Sequence, residues 1–291
     1  MALSILKDIR KIYAGLNSDE IRANAARTLK IGLDASNPAT YQRMERFLAP
    51  PGAGSLVRSQ ALLAIRPVNG SSAGFDFVLC EPGIPVPRNG YTFESETRSG
   101  PGSLTDLIVA ENPKIEVPLA RTFPLFRAAV SSRIVARISR ENALFSIVTA
   151  LPNIVPNMLE LPWAIGEFAT DSAFLTMNQV RMALMLAACY GRPVGYAHQK
   201  IEIAGIAAGA FGWRAIAREL VGKIPLGGGL IPKAAVAFAG TYVVGLSLDK
   251  VNRTGSGLTK KERRDAYADA FATGKEAVRE MAPAVLHSRS A

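Results

Sequence analysis

Apolar residues that recur every three or four positions predict helices along most of the C-terminal half of the chain. Residues 166–190, 196–220 and 232–252 each carry this pattern, with Gly or Pro close to their ends. A last helix is predicted to begin after Thr259, because Thr259 and Glu262 have the spacing of a capping box. Its apolar stripe comprises Tyr267, Phe271, Gly274, Val278 and Met281. We therefore expect this helix to dock on the rest of the protein.

Short apolar runs alternate with amphipathic stretches in the N-terminal part. The runs typical of strands are residues 28–33, 61–65 and 75–81, and the stretches with helical periodicity are residues 4–16 and 38–48. Residues 82–104 are rich in Gly, Pro and Ser and are predicted to form a long loop. Strands and helices so close in sequence predict a small α/β layer.

The pattern as a whole predicts a mainly α protein. Its C-terminal module is expected to be a helical hairpin or bundle, joined to a small degenerate α/β N-terminal part. The expected segments are an α/β part with a helical start over 1–104, a basic helical linker over 105–141, an apolar helical module over 142–252 and an amphipathic C-terminal helix over 253–291.

Composition narrows the class of protein. The chain has 291 residues, 48% of them hydrophobic and 20% charged, which excludes a disordered protein. Two cysteines and two histidines exclude a disulfide scaffold and a Cys-rich zinc module. Charge is unevenly placed, since residues 142–248 hold 12 charged side chains and the much shorter 249–291 holds 15. The middle of the chain therefore approaches the composition of membrane segments.

The net charge of +10 is concentrated on the two sides of the apolar module. The basic residues before it are Arg121, Arg127, Arg133, Arg137 and Arg140, and those after it are Lys250, Arg253, Lys260, Lys261, Arg263 and Arg264. Such clusters flank membrane segments on the cytoplasmic side and are attracted to anionic lipid by about 1 kcal/mol per residue. A solvated basic face is the alternative interpretation. Nucleic acid is not favoured, because no motif interleaves aromatic and basic residues.

The N-terminal strand, turn and helix stand where a P-loop would lie. A P-loop needs G-x-x-x-x-G-K-[ST], whose backbone amides and lysine hold phosphate. The turn over residues 33–40 has neither a glycine pair nor a lysine, and Asp34 adds negative charge. The sequence therefore predicts a degenerate P-loop position that binds no nucleotide, and no cofactor is predicted.

Few ionisable residues lie inside the apolar module. Three acids follow a spacing of seven and then four residues, and two arginines lie one turn apart. They are Glu160, Glu167 and Asp171, with Arg214 and Arg218. Burying such charges is costly unless they pair, so a structural acid–arginine network is favoured over an ion or polar-ligand site. No catalytic or metal-binding set is recognisable.

Small residues recur at every fourth position in two of the predicted helices. In the first helix Ala204, Ala208 and Gly212 line one ridge, with Gly205 and Gly209 as a GxxxG pair beside it; in the second helix the ridge is Ala237, Thr241 and Gly245. Such ridges let helix backbones approach closely, in lipid or in a soluble bundle. No stretch is a clean span of about 20 apolar residues, so a kinked hairpin, a shallow insertion and a buried bundle all stay open.

Four segments marked by Gly and Pro follow one another in a characteristic order. They are Glu141-Asn142-Ala143-Leu144 through Leu161-Pro162, the helix end Ala187-Ala188-Cys189-Tyr190-Gly191, the loop Gly222-Lys223-Ile224-Pro225-Leu226-Gly227-Gly228-Gly229, and Ala239-Gly240-Thr241-Tyr242-Val243-Val244-Gly245. Over roughly residues 140–250 this order resembles the domain of YcjF-type bacterial inner-membrane proteins, which is often joined to Era- or dynamin-like GTPase domains. The resemblance implies a helical, membrane-associated module and supplies no catalytic residues.

These observations predict a non-enzymatic bacterial protein that scaffolds, or senses membrane state, at the cytoplasmic side of the inner membrane. The membrane contact would be peripheral or shallowly inserted, and a protein partner or a second copy of the chain is a further candidate. Two alternatives stay open. One is a soluble cytoplasmic helical protein that binds an apolar ligand or a partner protein in its Gly-rich bundle. The other is an enzyme of unrecognised type that uses Glu160, Glu167 or Asp171.

Overall fold

The computed structural model describes residues 18–93, 103–149, 171–207 and 230–287. The chain divides into two compact units, which are named here by their main content. The sheet unit comprises Arg22–Ser132 and Ala188–Pro193, and the helical unit comprises Met1–Ile21, Arg133–Ala187 and Val194–Ala291. The protein is mainly α with a small parallel sheet near the N-terminus, which confirms the predicted fold class.

The described residues form ten α-helices and four strands. In chain order they are α1 (Ser18–Ala25), β1 (Ile31–Asp34), α2 (Pro38–Leu48), α3 (Ser55–Ala64), β2 (Ile65–Pro67), β3 (Phe77–Cys80), β4 (Gly90–Thr92), α4 (Leu104–Glu111), α5 (Glu116–Thr122), a 3₁₀ turn (Pro124–Phe126), α6 (Arg127–Thr149), α7 (Asp171–Cys189), α8 (Lys200–Ala207), α9 (Leu230–Thr254) and α10 (Lys260–His287). The predicted helix over residues 4–16 lies outside the described residues.

The four strands form one parallel sheet in the order β2-β1-β3-β4. Ile31 of β1 is paired with Ile65 on one side and Phe77 on the other. All of β3 is buried, as expected of a strand inside a parallel sheet. The predicted strands 28–33 and 75–81 are confirmed as β1 and β3, each shorter than the apolar run that indicated it.

Two predictions in this part were wrong. Residues 61–64 are the end of α3, and β2 begins only at Ile65. An apolar run of five residues does not distinguish a strand from a helix by its period, and Ala and Leu favour the helix. The predicted loop over residues 82–104 contains β4, three residues long and flanked by Pro-rich sequence. So short a strand gives no alternating pattern to read.

A glycine in β1 allows the connection from β2 to β3 to cross the sheet. A Cβ atom on Gly32 would lie 2.7 Å from Val68 Cγ2 and 3.2 Å from the Phe75 ring. Both residues belong to this connection, which has no helix of its own. The close approach explains why β1 reads Ile-Gly-Leu at its centre, where a larger side chain would push the crossing segment away.

The outer edge of β2 is protected against pairing with another strand. Pro67 has no N–H to offer, and Arg66 Nη1 donates to the carbonyl oxygen of Ile65 at 2.7 Å. The N–H of Ile65 is already bonded to the carbonyl of Leu62 at the end of α3. Proline and charged residues are common devices for blocking a sheet edge.

In the helical unit, α9 and α10 pair as an antiparallel hairpin. Ala234 and Phe238 of α9 pack against Ala277 and Val278 of α10, together with residues of α6. Nearer the turn, Val243 packs against Tyr267. Gly274 makes room for Phe238, since a Cβ there would lie 3.0 Å from its ring.

The predicted cap and docking of the last helix are confirmed. Thr259 N donates to Glu262 Oε2 at 2.7 Å, and Glu262 N donates to Thr259 Oγ1 at 3.2 Å, which is a capping box. Tyr267 and Val278 are fully buried. Phe271 and Met281 are half-buried beside them, so the stripe faces the protein.

Candidate functional site

The carboxyl edge of the parallel sheet is the place where open α/β sheets bind ligands. The order β2-β1-β3-β4 places the chain first on one side of β1 and then on the other, which creates a topological switch point between β1 and β3. A shallow cavity of about 430 Å³ lies near the end of β1. Its lining comprises Ala35, Ser36, Asn37, Pro38, Tyr41, Gln42 and Pro67.

Helix α2 begins at this switch point with a complete cap. Asn37 has extended backbone angles, and its Oδ1 accepts from Thr40 N at 2.9 Å. Pro38 occupies the first turn, where a missing N–H costs nothing. Met44, Phe47 and Leu48 bury the opposite face. The helix is therefore held with its N-terminal end directed at the carboxyl ends of β1 and β3.

The carboxylate of Glu81, the first residue after β3, occupies this end. Its Oε2 accepts from Ser36 N and from Ser36 Oγ, both at 2.7 Å, and its Oε1 accepts from Thr40 Oγ1 at 3.0 Å. These hydrogen bonds, chiefly those from Ser36, hold the pKa of Glu81 below its ordinary value. The donors that would meet a bound phosphate in a nucleotide-binding fold therefore meet a carboxylate of the same chain.

The sequence predicts negative charge at this turn from Asp34, and the structure adds the carboxylate of Glu81, which the sequence did not indicate. Asp34 contributes its backbone carbonyl, which accepts from Glu81 N at 2.8 Å. An acidic residue directly after a buried strand is visible in the sequence. Its role depends on β3 lying next to β1, which only the strand order reveals.

The helical unit holds a second polar cluster, deep between α6, α7 and α9. Asn142 Nδ2 donates to Thr241 Oγ1 at 2.7 Å, and Asn178 Nδ2 donates to Asn142 Oδ1 at 2.8 Å. Gln179 Nε2 reaches Thr241 Oγ1 at 3.4 Å. All four residues are at most 2% exposed. Among the described residues, Asn178 Oδ1 has no hydrogen-bond partner.

An acid–arginine pair lies beside this cluster. Glu141 of α6 bonds to Arg181 of α7, and Arg181 is only 7% exposed. Burial lowers the pKa of Arg181, and the neighbouring Glu141 acts in the opposite direction. A buried arginine paired with a half-buried acid thus exists on residues that were not predicted to form a charge network.

Most residues of the predicted acid–arginine network lie outside the part of the chain that the structure describes. Glu160, Glu167, Arg214 and Arg218 lie outside the described residues, and Asp171 is the first residue of α7. The network therefore stays a prediction. Within the described parts of the chain, no group of three His, Cys, Asp or Glu side chains could hold a metal ion.

The predicted small-residue ridge is described only in part. Gly209 and Gly212 lie outside the described residues, and Gly205 is half-buried in α8. Gly245 packs against α6 and α7, where a Cβ would lie 2.6 Å from Val135 Cγ1 and 3.0 Å from Met182 Sδ. The pairing of the two ridges with each other stays a prediction.

Two of the five arginines in the first basic cluster are engaged within the protein. Arg121 Nη1 donates to the carbonyls of Ala188 and Arg192, at 3.3 and 3.2 Å. Arg127 Nε donates to the carbonyls of Ala120 and Cys189, both at 3.2 Å. These arginines satisfy carbonyls at the end of α7, where cations also suit the helix dipole. They are structural caps, which removes two charges from the expected membrane-facing flank.

One described helix, Ile231–Thr254, is long and apolar enough to cross a membrane by length and composition, and 67% of its most apolar window is buried inside the protein. Comparison with known proteins adds no identification: no family model, curated protein or solved structure matches the chain. The resemblance to YcjF-type proteins therefore stays a prediction.

Proposed function

We propose that this protein is a non-enzymatic scaffold that associates with the cytoplasmic surface of the bacterial inner membrane without spanning it. The observation that carries the proposal is the distribution of charge in the helical unit. Residues 249–265, at the turn between α9 and α10, hold six basic and three acidic side chains, next to an apolar bundle. Such a surface suits anionic lipid headgroups.

The packing of α9 favours surface contact over insertion. One side of the helix is covered by α10 through Phe238 and Val243, and Gly245 packs against Val135 and Met182. Moving α9 into lipid would break this packing and would separate Thr241 from Asn142. Each polar group left buried without a partner costs about 1–3 kcal/mol.

The non-enzymatic part of the proposal draws support from the carboxyl edge of the sheet, where β1 and β3 end. The position where such folds hold a nucleotide or substrate is occupied by the Glu81 carboxylate, with three hydrogen bonds of 2.7–3.0 Å. A phosphate placed there would meet negative charge instead of free donors. The remaining cavity is shallow and open to solvent, unlike a cleft that buries most of a bound substrate.

Cell fractionation tests the proposal. The protein should sediment with membranes at low salt and should be released completely by high salt or by carbonate, because a peripheral contact is electrostatic. A soluble marker and an integral membrane marker are followed in the same fractions. Retention after carbonate would contradict surface association, and recovery in the soluble fraction at low salt would contradict the membrane function itself.

A second candidate function, protein binding, is favoured by the surface of α3. Leu56 and Leu63 lie two turns apart on this helix and are 70% and 71% exposed. Two leucines on one exposed ridge are typical of a contact for another helix. If a second copy is the partner, sedimentation should show self-association that the variant Leu56→Ser/Leu63→Ser abolishes. A monomer at every concentration would remove this version.

A further inference from the structure

The turn that joins α9 to α10 is a fixed, compact element. Gly255 takes a positive φ of 80° and closes α9 through its N–H to the carbonyl of Val251. Leu258 N donates to Ser247 Oγ at 3.1 Å, and Gly257 lies so close that a Cβ would be 2.8 Å from the same oxygen. The two helix ends therefore stay together.

An ion pair ties the same ends. Lys250 Nζ contacts both carboxylate oxygens of Glu262, at 2.8 and 2.9 Å. Glu262 also belongs to the capping box of α10, so this carboxylate near the turn is already engaged within the protein. Its engagement holds the pKa of Glu262 at about 2, chiefly through the bond from Lys250. Glu262 therefore remains a carboxylate in the folded protein at any physiological pH.

Three further cations remain at this end. Arg253 lies in the last turn of α9, and Lys260 and Lys261 lie in the first turn of α10. All three are exposed, and their side chains form no ion pair with any described residue. Two lysines at a helix N-terminus oppose the helix dipole, so local stability does not explain them.

The geometry points to the end of the hairpin, through Arg253, Lys260 and Lys261, as the surface that contacts anionic lipid headgroups; this assignment rests on the proposed membrane-surface function. The three cations lie on helix ends that a fixed turn holds together, so meeting a negatively charged surface would not carry the entropy cost of ordering a loop. A nucleic acid is the less suitable partner, because the described turn presents no aromatic side chain on which a base could stack.

Vesicle co-sedimentation of the full chain tests the assignment. Vesicles of phosphatidylcholine alone are compared with vesicles that also contain phosphatidylserine. The test variant is Arg253→Gln/Lys260→Gln/Lys261→Gln. The matched control is Lys30→Gln/Arg46→Gln/Arg88→Gln, which removes three exposed cations from the sheet unit. Neutralising two lysines at the start of α10 relieves the dipole, so the test variant should unfold no earlier than wild type.

We expect wild type to bind only the anionic vesicles, and the test variant to bind them on the order of 100-fold more weakly. The control should stay close to wild type. Equal losses in the two variants would overturn the assignment of the hairpin end while leaving the proposed function in place. If wild type bound neither type of vesicle, both the assignment of the hairpin end and the proposed membrane function would be overturned. Binding of a DNA oligonucleotide that only the test variant loses, with no vesicle binding, would replace lipid by nucleic acid as the partner.

Discussion

The edge of the sheet and the core of the helical unit both join distant parts of the chain through polar groups, but in different surroundings. At the sheet edge, Glu81 is partly exposed and accepts three hydrogen bonds from the start of α2. In the helical unit, Asn142 is fully buried and links Asn178 and Thr241. Water can replace lost partners at the first place and cannot reach the second. The same kind of contact should therefore differ in energy between the two units.

The largest expected effect comes from breaking the buried cluster. Asn142→Ala should lower the free energy of unfolding by about 2–4 kcal/mol, because Asn178 loses its acceptor and a small cavity forms. Urea unfolding followed by circular dichroism measures the loss. The variant Asn142→Leu/Asn178→Leu/Thr241→Val removes both partners of the two short bonds and takes an acceptor only from Gln179, whose bond to Thr241 is 3.4 Å long, so the cost should be smaller than the sum of the single changes. Additive losses would show that the three side chains do not act together.

Close packing around α9 should give the next largest effect. Gly245→Ala places a Cβ within 2.6–3.0 Å of Val135 and Met182, which we expect to cost about 1–3 kcal/mol. Gly52 is the matched control, since a Cβ there meets nothing within 4 Å, and Gly52→Ala should stay within about 0.5 kcal/mol of wild type. If Gly245→Ala were equally harmless, α9 would be far less tightly held than its contacts indicate.

Removing the buried hydroxyl of Tyr267 should not lower the stability of the protein, in contrast to the two changes above. Its hydroxyl is buried and has no hydrogen-bond partner among the described residues, and burial raises the pKa of the side chain. Tyr267→Phe should therefore be neutral or stabilising by about 1 kcal/mol, whereas Tyr267→Ala should cost about 3–5 kcal/mol. A clear loss of stability in the Phe variant would reveal a partner for the hydroxyl.

Local features of this fold could be predicted from sequence, and features made by distant neighbours could not. The capping box of Thr259 and Glu262 and the start of α2 at Asn37-Pro38 are set by residues a few positions apart. Their signals are therefore complete in the sequence. Glu81 and Ser36 are 45 positions apart, and Asn142 and Thr241 are 99 apart. Their meeting depends on strand order and helix packing, which no local pattern encodes. Arg121 and Arg127 are a further example. As part of a basic cluster in the sequence they predicted a membrane-facing flank, but in the structure they donate hydrogen bonds to carbonyls at the end of α7.

A smaller, pH-dependent effect is expected at the sheet edge. The pKa of Glu81 is lowered in the folded protein, so its hydrogen bonds stabilise the fold at pH values above the ordinary carboxyl pKa. That contribution is lost as the pH falls through the lower folded value. Glu81→Gln cannot ionise, so its melting temperature should fall less than that of wild type between neutral and acidic pH. Glu20→Gln removes one exposed carboxylate on α1 as the control, and parallel curves for all three proteins would contradict the role given to Glu81.

Nucleotide is expected to have no effect on stability, because the carboxyl edge of the sheet should not bind it. Ser36 N, Ser36 Oγ and Thr40 Oγ1 already donate to Glu81, and the turn has no lysine to neutralise phosphate. Millimolar ATP or GTP with magnesium should therefore leave the melting temperature of the protein unchanged. A site at 100-fold excess over its Kd would add about 2.7 kcal/mol of stability, a rise of roughly 5–10 °C. Such a rise in wild type, removed by Ser36→Ala/Thr40→Ala, would show that a nucleotide displaces the carboxylate. A rise that survives those substitutions would place nucleotide binding elsewhere in the chain and leave the sheet edge closed.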